Sequence, residues 1–181
     1  MNIHERHNEK NPIMTIDVAQ FGIMTFELFP EVAPNTVNNM VHLIKQHYYD
    51  GLVFHRIIEG FMIQGGWGKQ TLTPIKGEFE ANGFNNSLLH QRGVISMART
   101  SDPNSQTSQF FIMHRDAAHL DGQYASFGCL LTGFDVLDQI AVIQKDVSDR
   151  PIRDIIIQSM HVETNGIQYP EPIYYYRQRG V

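Results

Sequence analysis

The run FHRIIEGFMIQGG, residues 54–66, carries an arginine inside one of the most apolar stretches of a 181-residue chain. It reads as two strands, 53–58 and 61–65, broken at Gly60. Strand alternation would put Phe54, Arg56 and Ile58 on one side and Val53, His55 and Ile57 on the other. Neither side is a plain water face. Arg56 must therefore snorkel to solvent, pair with an acid such as Glu59, or be held out as a tool.

Working outward, residues 13–19 and 22–29 read as an antiparallel hairpin turning at Gln20-Phe21-Gly22. A helix follows, with Pro34 in its first turn and Val37, Met40, Val41 and Ile44 at helical spacing, closed by Asp50-Gly51. Residues 66–92 show no sustained period, and a connection that long in a compact domain is usually functional. Strands are expected at 94–98, 109–113 and 127–131, then a helix over 134–143 through Val136, Leu137, Ile140 and Ala141. A closing strand is expected over 152–162, where Ile155-Ile156-Ile157 suggests burial on both faces. The chain divides into a polar arm (1–11), one domain (12–163) and a tail (164–181) holding two prolines and four of the seven tyrosines. Many short strands with two helices indicate a mainly β domain, a barrel whose ends the helices plug. Phe26, Phe54, Phe110 and Phe127 fill its interior and argue against a hollow ligand carrier.

A formal net charge of −5 excludes a general nucleic-acid binder, which needs a basic surface. No stretch has the length of a membrane span, and MNIHERHNEKNP lacks the apolar core of a secretory signal. The single cysteine, Cys129, fits a reducing cytoplasm, and its setting in FGCLL makes it a small core residue. There is no GxSxG elbow, HExxH or P-loop, and the scattered histidines have no zinc spacing, so neither a metal nor another cofactor is expected.

Three strands instead offer mixed faces. Met62 and Gln64 share a side after Phe61; Gln109, Phe111 and Met113 share another; Val94 and Ser96 lead to Ala98. Apolar bodies with a few amide or guanidinium donors suit a ligand with an apolar fragment and directed hydrogen bonds.

At these residues the chain resembles a known family. FHRIIEGFMIQGG, followed by GVISMARTSDPNSQTSQFFI (93–112) and HLDGQYASFG (119–128), is similar to the signature segments of the cyclophilin peptidyl-prolyl cis-trans isomerases. The likeness runs from Ile13 to Val162, and the RGVISMAR segment resembles bacterial members. The resemblance implies a closed eight-stranded antiparallel β-barrel capped by two α-helices, with a proline groove on its outer face. It makes Arg56 the catalytic arginine, assisted by Gln64, and makes Phe61, Met62, Phe111 and Leu120 the walls for the proline ring. Gln64 and Gln109 would position the substrate backbone and the arginine; Ala98 and the main chain of Arg99 would hold the residues before the proline. Two positions depart from the pattern. Tyr124 replaces a histidine, and His119 replaces a rim aromatic, often tryptophan. The implied partners are proline-containing polypeptides, with cyclosporin-like cyclic peptides bound weakly, and the expected state is a monomer.

The chemistry fits an arginine with no base beside it. Resonance sets a rotation barrier of ~18–20 kcal/mol about the peptide bond. A guanidinium that hydrogen-bonds the proline nitrogen as it pyramidalises acts only in the transition state, and one such donor is worth about 3–4 kcal/mol. The remainder must come from gripping the ring and excluding water. A second reading is a binding module of the same fold, a chaperone or scaffold gripping proline segments with little turnover. The presence of the arginine favours the enzyme.

Overall fold

The computed structural model describes residues 7–176. The strands are β1 (Ile13–Val18), β2 (Gly22–Leu28), β3 (Phe54–Ile58), β4 (Met62–Gly65), β5 (Val94–Met97), β6 (Phe110–Met113), β7 (Ser126–Thr132) and β8 (Ile157–Glu163). The helices are α1 (Pro34–Lys45) and α2 (Phe134–Ala141). All strand pairs are antiparallel, in the order β3-β4-β6-β5-β7-β2-β1-β8.

The eight strands curl into a half-barrel; the closed barrel expected from the sequence is not formed. β3 and β8, the outer strands, share no ladder. Their seam runs through one bridge, Val53 to Ile156, and separate bonds such as Phe54 N–H to the Ile155 carbonyl at 3.0 Å. The reason lies in the segment before β8. Asp149 has φ +62° and Pro151 has no N–H to give, so residues 149–155 cannot run alongside β3 as a regular strand. The closing strand therefore begins at Ile157, not 152. The three isoleucines do not bury both faces either: Ile155 and Ile157 are inside while Ile156 is 41% exposed.

The interior is filled. Phe26, Phe54, Phe110 and Phe127 are fully buried, and rings of Phe54 and Tyr49 meet Phe110 edge-on at 6.1 and 5.6 Å. Cys129 is buried too, and burial with the neighbouring Glu27 pushes its thiol up to about 12. α1 starts at Pro34 and buries Val37, Met40, Val41 and Ile44; α2 buries Val136, Leu137, Ile140 and Ala141 and ends two residues sooner than its apolar pattern suggests. No helix among the described residues is long and apolar enough to cross a membrane.

Loops are tied down by side chains. Ala33 gives α1 no side-chain cap, so Glu78 in the long loop accepts from the N–H groups of Asn35 and Thr36 and from the Thr36 hydroxyl. Glu27, 1% exposed, accepts from the Asn8 N–H, the Asn11 amide and His7. The Asn165 side chain donates to the carbonyls of Glu9 and Asn11. Beyond it the chain exchanges hydrogen bonds with Asn35 at Ile173 and pairs Tyr174 with Ile75 of the long loop.

Gly66 closes β4 with φ +84°, and a Cβ there would lie 2.7 Å from the Ser108 carbonyl and 3.0 Å from the rings of Phe110 and Tyr49. Gly66→Ala is expected to cost about 3 kcal/mol in urea unfolding, from left-handed strain plus overpacking. A loss below about 0.5 kcal/mol would mean that the turn relaxes freely.

Candidate active site

The arginine's orientation comes from a bulge. Phe54 pairs with Gly65 and Arg56 with Gln64, leaving His55 as one extra residue in β3. Simple alternation would put Phe54 and Arg56 on one side; the extra residue reverses the phase between them. Phe54 turns into the core, Arg56 turns out to solvent, and Ile57 rather than Ile58 is the next fully buried residue. Among the described residues the guanidinium makes no ion pair, so the expected alternative partner, Glu59, does not hold it.

Register then builds the site sideways across the sheet. Arg56 faces Gln64 on β4, Gln64 faces Phe111 on β6, and Phe111 faces Ser96 on β5. Directly opposed residues point to the same face, so an arginine, an amide, a phenyl ring and a hydroxyl lie in one row. Phe61 from the β3–β4 turn and Met62 flank that row. Ala98 and Arg99 follow β5, while Leu120 and Tyr124 come from the loop before β7.

These residues enclose a cavity of about 320 Å³ lined by Arg56, Phe61, Met62, Gln64, Ala98, Arg99, Phe111, Leu120 and Tyr124. Nine of the eleven residues singled out from the sequence thus line one pocket. The other two border it. The Gln109 side-chain oxygen accepts from the Gln64 amide at 3.1 Å, and the His119 ring sits 5.6 Å from Phe61 at a 31° tilt. The Ala98 N–H is already spent on the Gln109 carbonyl at 2.9 Å. No group of three His, Cys, Asp or Glu among the described residues could hold a metal ion.

Nothing in the residue pattern marks the layer beneath. His90, 2% exposed, stacks on Phe111 at 6.0 Å and 16° and meets Tyr124 edge-on at 6.5 Å. Its Nδ1 lies 3.1 Å from Asp121 and its Nε2 3.0 Å from Ser96 Oγ. Burial lowers its pKa against the opposing pull of Asp121, so the ring stays neutral, donating from Nδ1 to Asp121 and accepting the Ser96 hydroxyl proton. The order Ser–His–Asp matches that of a hydrolase, but Ser96 is fully buried and no substrate carbonyl can reach it. The set is a bracket for the pocket floor.

Arg99 braces the facing wall. Its guanidinium donates to the Gln123 carbonyl at 2.9 and 3.1 Å and to the Thr100 carbonyl at 2.9 Å, lying 4.6 Å from the Tyr124 ring centre and 5.0 Å from that of Phe79. Beside the pocket, His55 stands edge-on to Trp67 at 5.5 Å, and burial with the charges of Arg150 and Arg56 lowers its pKa.

Known proteins share this fold. The family model described as "Cyclophilin type peptidyl-prolyl cis-trans isomerase/CLD" matches residues 13–162. A peptidyl-prolyl cis-trans isomerase of Acinetobacter baylyi is 37% identical over 161 residues, covering 79% of this chain and 83% of its own length. One from Arabidopsis thaliana is 40% identical over 150 residues, covering 81% and 93%. The peptidyl-prolyl cis-trans isomerase-like 2 protein of Cryptococcus neoformans is 38% identical, but this chain spans only 29% of its length. In structure, a cyclophilin-type isomerase of Cryptosporidium parvum superposes with a TM-score of 0.77 at 32% identity, covering 86% of this chain and 99% of its own; the same enzyme was also crystallised in the presence of the dipeptide Ala-Pro. With curled sheet, two helices, and a continuous match through every strand from β1 to β8, the chain belongs to the cyclophilin-type peptidyl-prolyl cis-trans isomerase family.

Proposed function

We propose that this protein accelerates cis-trans rotation of X–Pro bonds in polypeptides, with Arg56 as the catalytic group and the adjoining apolar pocket as the proline site. The observation that carries the reading is a guanidinium turned outward by a bulge, without an ion pair among the described residues, at the mouth of a pocket walled by Phe61, Met62, Phe111 and Leu120.

An arginine bound to a carboxylate would have its fork occupied; this one keeps its donors for a substrate. Phe111 and Met62 take the ring, while Gln64, steadied by Gln109, sits opposite Arg56 across the strand pair and meets the substrate backbone. As the bond twists, the proline nitrogen loses conjugation and gains a lone pair that Arg56 can hydrogen-bond. Because that acceptor is absent in the planar ground state, the interaction lowers the barrier rather than tightening binding. Its ~3–4 kcal/mol is about two to three decades of rate. No proton moves, so the neutral, buried His90 is not needed as a base. Ala98, its N–H already committed, offers surface and Arg99 its main chain to the residues before the proline. The isomerase unit is residues 12–163, acting as a monomer in the cytoplasm on flexible protein chains, flanked by the arm and the tail. The buried, unreactive Cys129 is in keeping with a reducing compartment.

Arg56→Ala is expected to lower kcat/KM on a short proline peptide about tenfold or more while moving the thermal midpoint little, because an exposed side chain without an ion pair contributes little to stability. Retained activity with several degrees of lost stability would restore a structural role for the arginine. Turnover near zero in the wild type, with peptide still bound, would favour the scaffold reading.

Cyclosporin separates rim from pocket. His119 tilts over Phe61 at the edge and offers less apolar area than an indole, with a donor that depends on its tautomer. Weak inhibition beside normal turnover is expected, with His119→Trp tightening inhibition about tenfold to a hundredfold. Tight inhibition of the wild type would show that His119 does not occupy the rim.

A further inference from the structure

The C-terminal segment docks as a short third strand. Ile75 of the long loop bridges Gln106 on one edge, its N–H donating to the Gln106 carbonyl at 2.8 Å, and bridges Tyr174 on the other. The Tyr175 N–H donates to the Pro74 carbonyl at 2.7 Å. Asn35 clamps the same segment with its side-chain amide, accepting the Ile173 N–H at 2.7 Å and donating to the Ile173 carbonyl at 2.9 Å. One turn further along α1, Asn39 donates to the Thr107 carbonyl at 2.7 Å. The order Tyr174, Ile75, Gln106 thus leads from the tail into the 98–109 loop. One end of that loop gives Ala98 and Arg99 to the prolyl pocket, and the other holds Gln64 through Gln109. The family match stops at residue 162, so the strand lies outside the region shared with the relatives.

Gln106 gives the strand a task. It is fully buried, and neither atom of its side-chain amide has a hydrogen-bond partner among the described residues. An unpaired buried amide favours any opening that lets water reach it. The loop is therefore biased outward at the point where Ile75 holds it, and Ile75 is itself held by the tail. We propose that residues 173–175 are a positioning strand for the isomerase site, keeping Ile75, and through it the 98–109 wall of the prolyl pocket, closed over Gln106. The strand acts by fixing where Ala98, Arg99 and Gln109 stand. With it released, the surface for the residues before the proline loosens. Arg56, Met62 and Phe111 belong to the sheet and keep their places, so binding suffers and the turning step does not.

The proposal rests on the isomerase reading, and hydrogen exchange tests it without turnover. Asn35→Ala removes both clamps on Ile173 and leaves the residue-35 N–H on Glu78; Tyr175→Pro removes the donor to Pro74. In either full-length variant the Ile75 amide is expected to exchange about tenfold faster and the Ala98 amide about threefold faster, with the Phe29 amide, bonded to the Phe127 carbonyl, unchanged. KM for a proline peptide should rise about threefold to tenfold while kcat stays within about twofold. A tail that only adds stability would lower the thermal midpoint and leave KM alone. Gln106→Met keeps the side-chain length without the amide; added to Asn35→Ala, it should bring KM and Ala98 exchange back to within about twofold of the wild type. Exchange that rises at neither amide or at Ile75 alone overturns the positioning strand. So does an unchanged KM, or a double variant no better than Asn35→Ala. The same exchange pattern and rescue in a protein that binds the peptide without turning it over, with Kd in place of KM, leaves the strand and removes the isomerase.

Discussion

The pocket depends on one extra residue in β3. Phe54 and Arg56 are two positions apart, and in an unbroken strand a fully buried Phe54 would carry the guanidinium into the core with it. Burying an unpaired cation costs far more than any single packing contact returns. With His55 inserted against β4, Phe54 packs on Phe110 while Arg56 reaches the outer face opposite Gln64. The row Arg56, Gln64, Phe111, Ser96 follows from register alone once that phase is set.

A pocket on the outside of a sheet lacks the enclosing core that normally fixes side chains, and here polar brackets do that work. His90, held between Asp121 and Ser96, backs Phe111; Arg99 clamps the loop carrying Tyr124 through the Gln123 carbonyl. At the opposite end Asp138 accepts two bonds from Arg92 and lies 3.1 Å from His114, whose Nδ1 accepts the Gly60 N–H. That ties α2 to the β3–β4 turn before Phe61. Arg92 holds the Asp138 carboxyl below the usual carboxylate range, so the charged pair persists well into acid. The pair is partly exposed, and its worth lies in geometry more than in free energy.

The long motifs made the fold family and the pocket's membership legible, because they record the pocket residues themselves. Periodicity found both helices and all eight strands, most to within two residues and the start of β8 five residues early. What it missed was set by contacts distant in sequence. A bulge leaves no mark in FHRIIEG, since alternation assumes one residue per pairing step. The open seam depends on Asp149 and Pro151 interrupting a regular ladder with β3, where the Asp149 carbonyl accepts a separate bond from Ile57, and Ile155-Ile156-Ile157 alternates because only one face of the chain is covered there. His90 stands in an unremarkable loop; only the fold reveals that it lies under Phe111.

The carboxylate of Glu78 has a consequence for how the molecule breathes. α1 begins at Ala33 without a cap of its own and with no acid in its first turn, so its amides at Asn35 and Thr36 depend on a residue more than forty positions away. An N-terminal cap of this kind is worth about 1–2 kcal/mol. The first turn of the helix and the long loop therefore open together, as one unit. Amide exchange at residues 35 and 36 becomes a clock for the undocking of a loop that also carries the Pro74 and Ile75 anchors of the C-terminal segment. A helix end buried on one side of the molecule thus reports on the surface beside the groove.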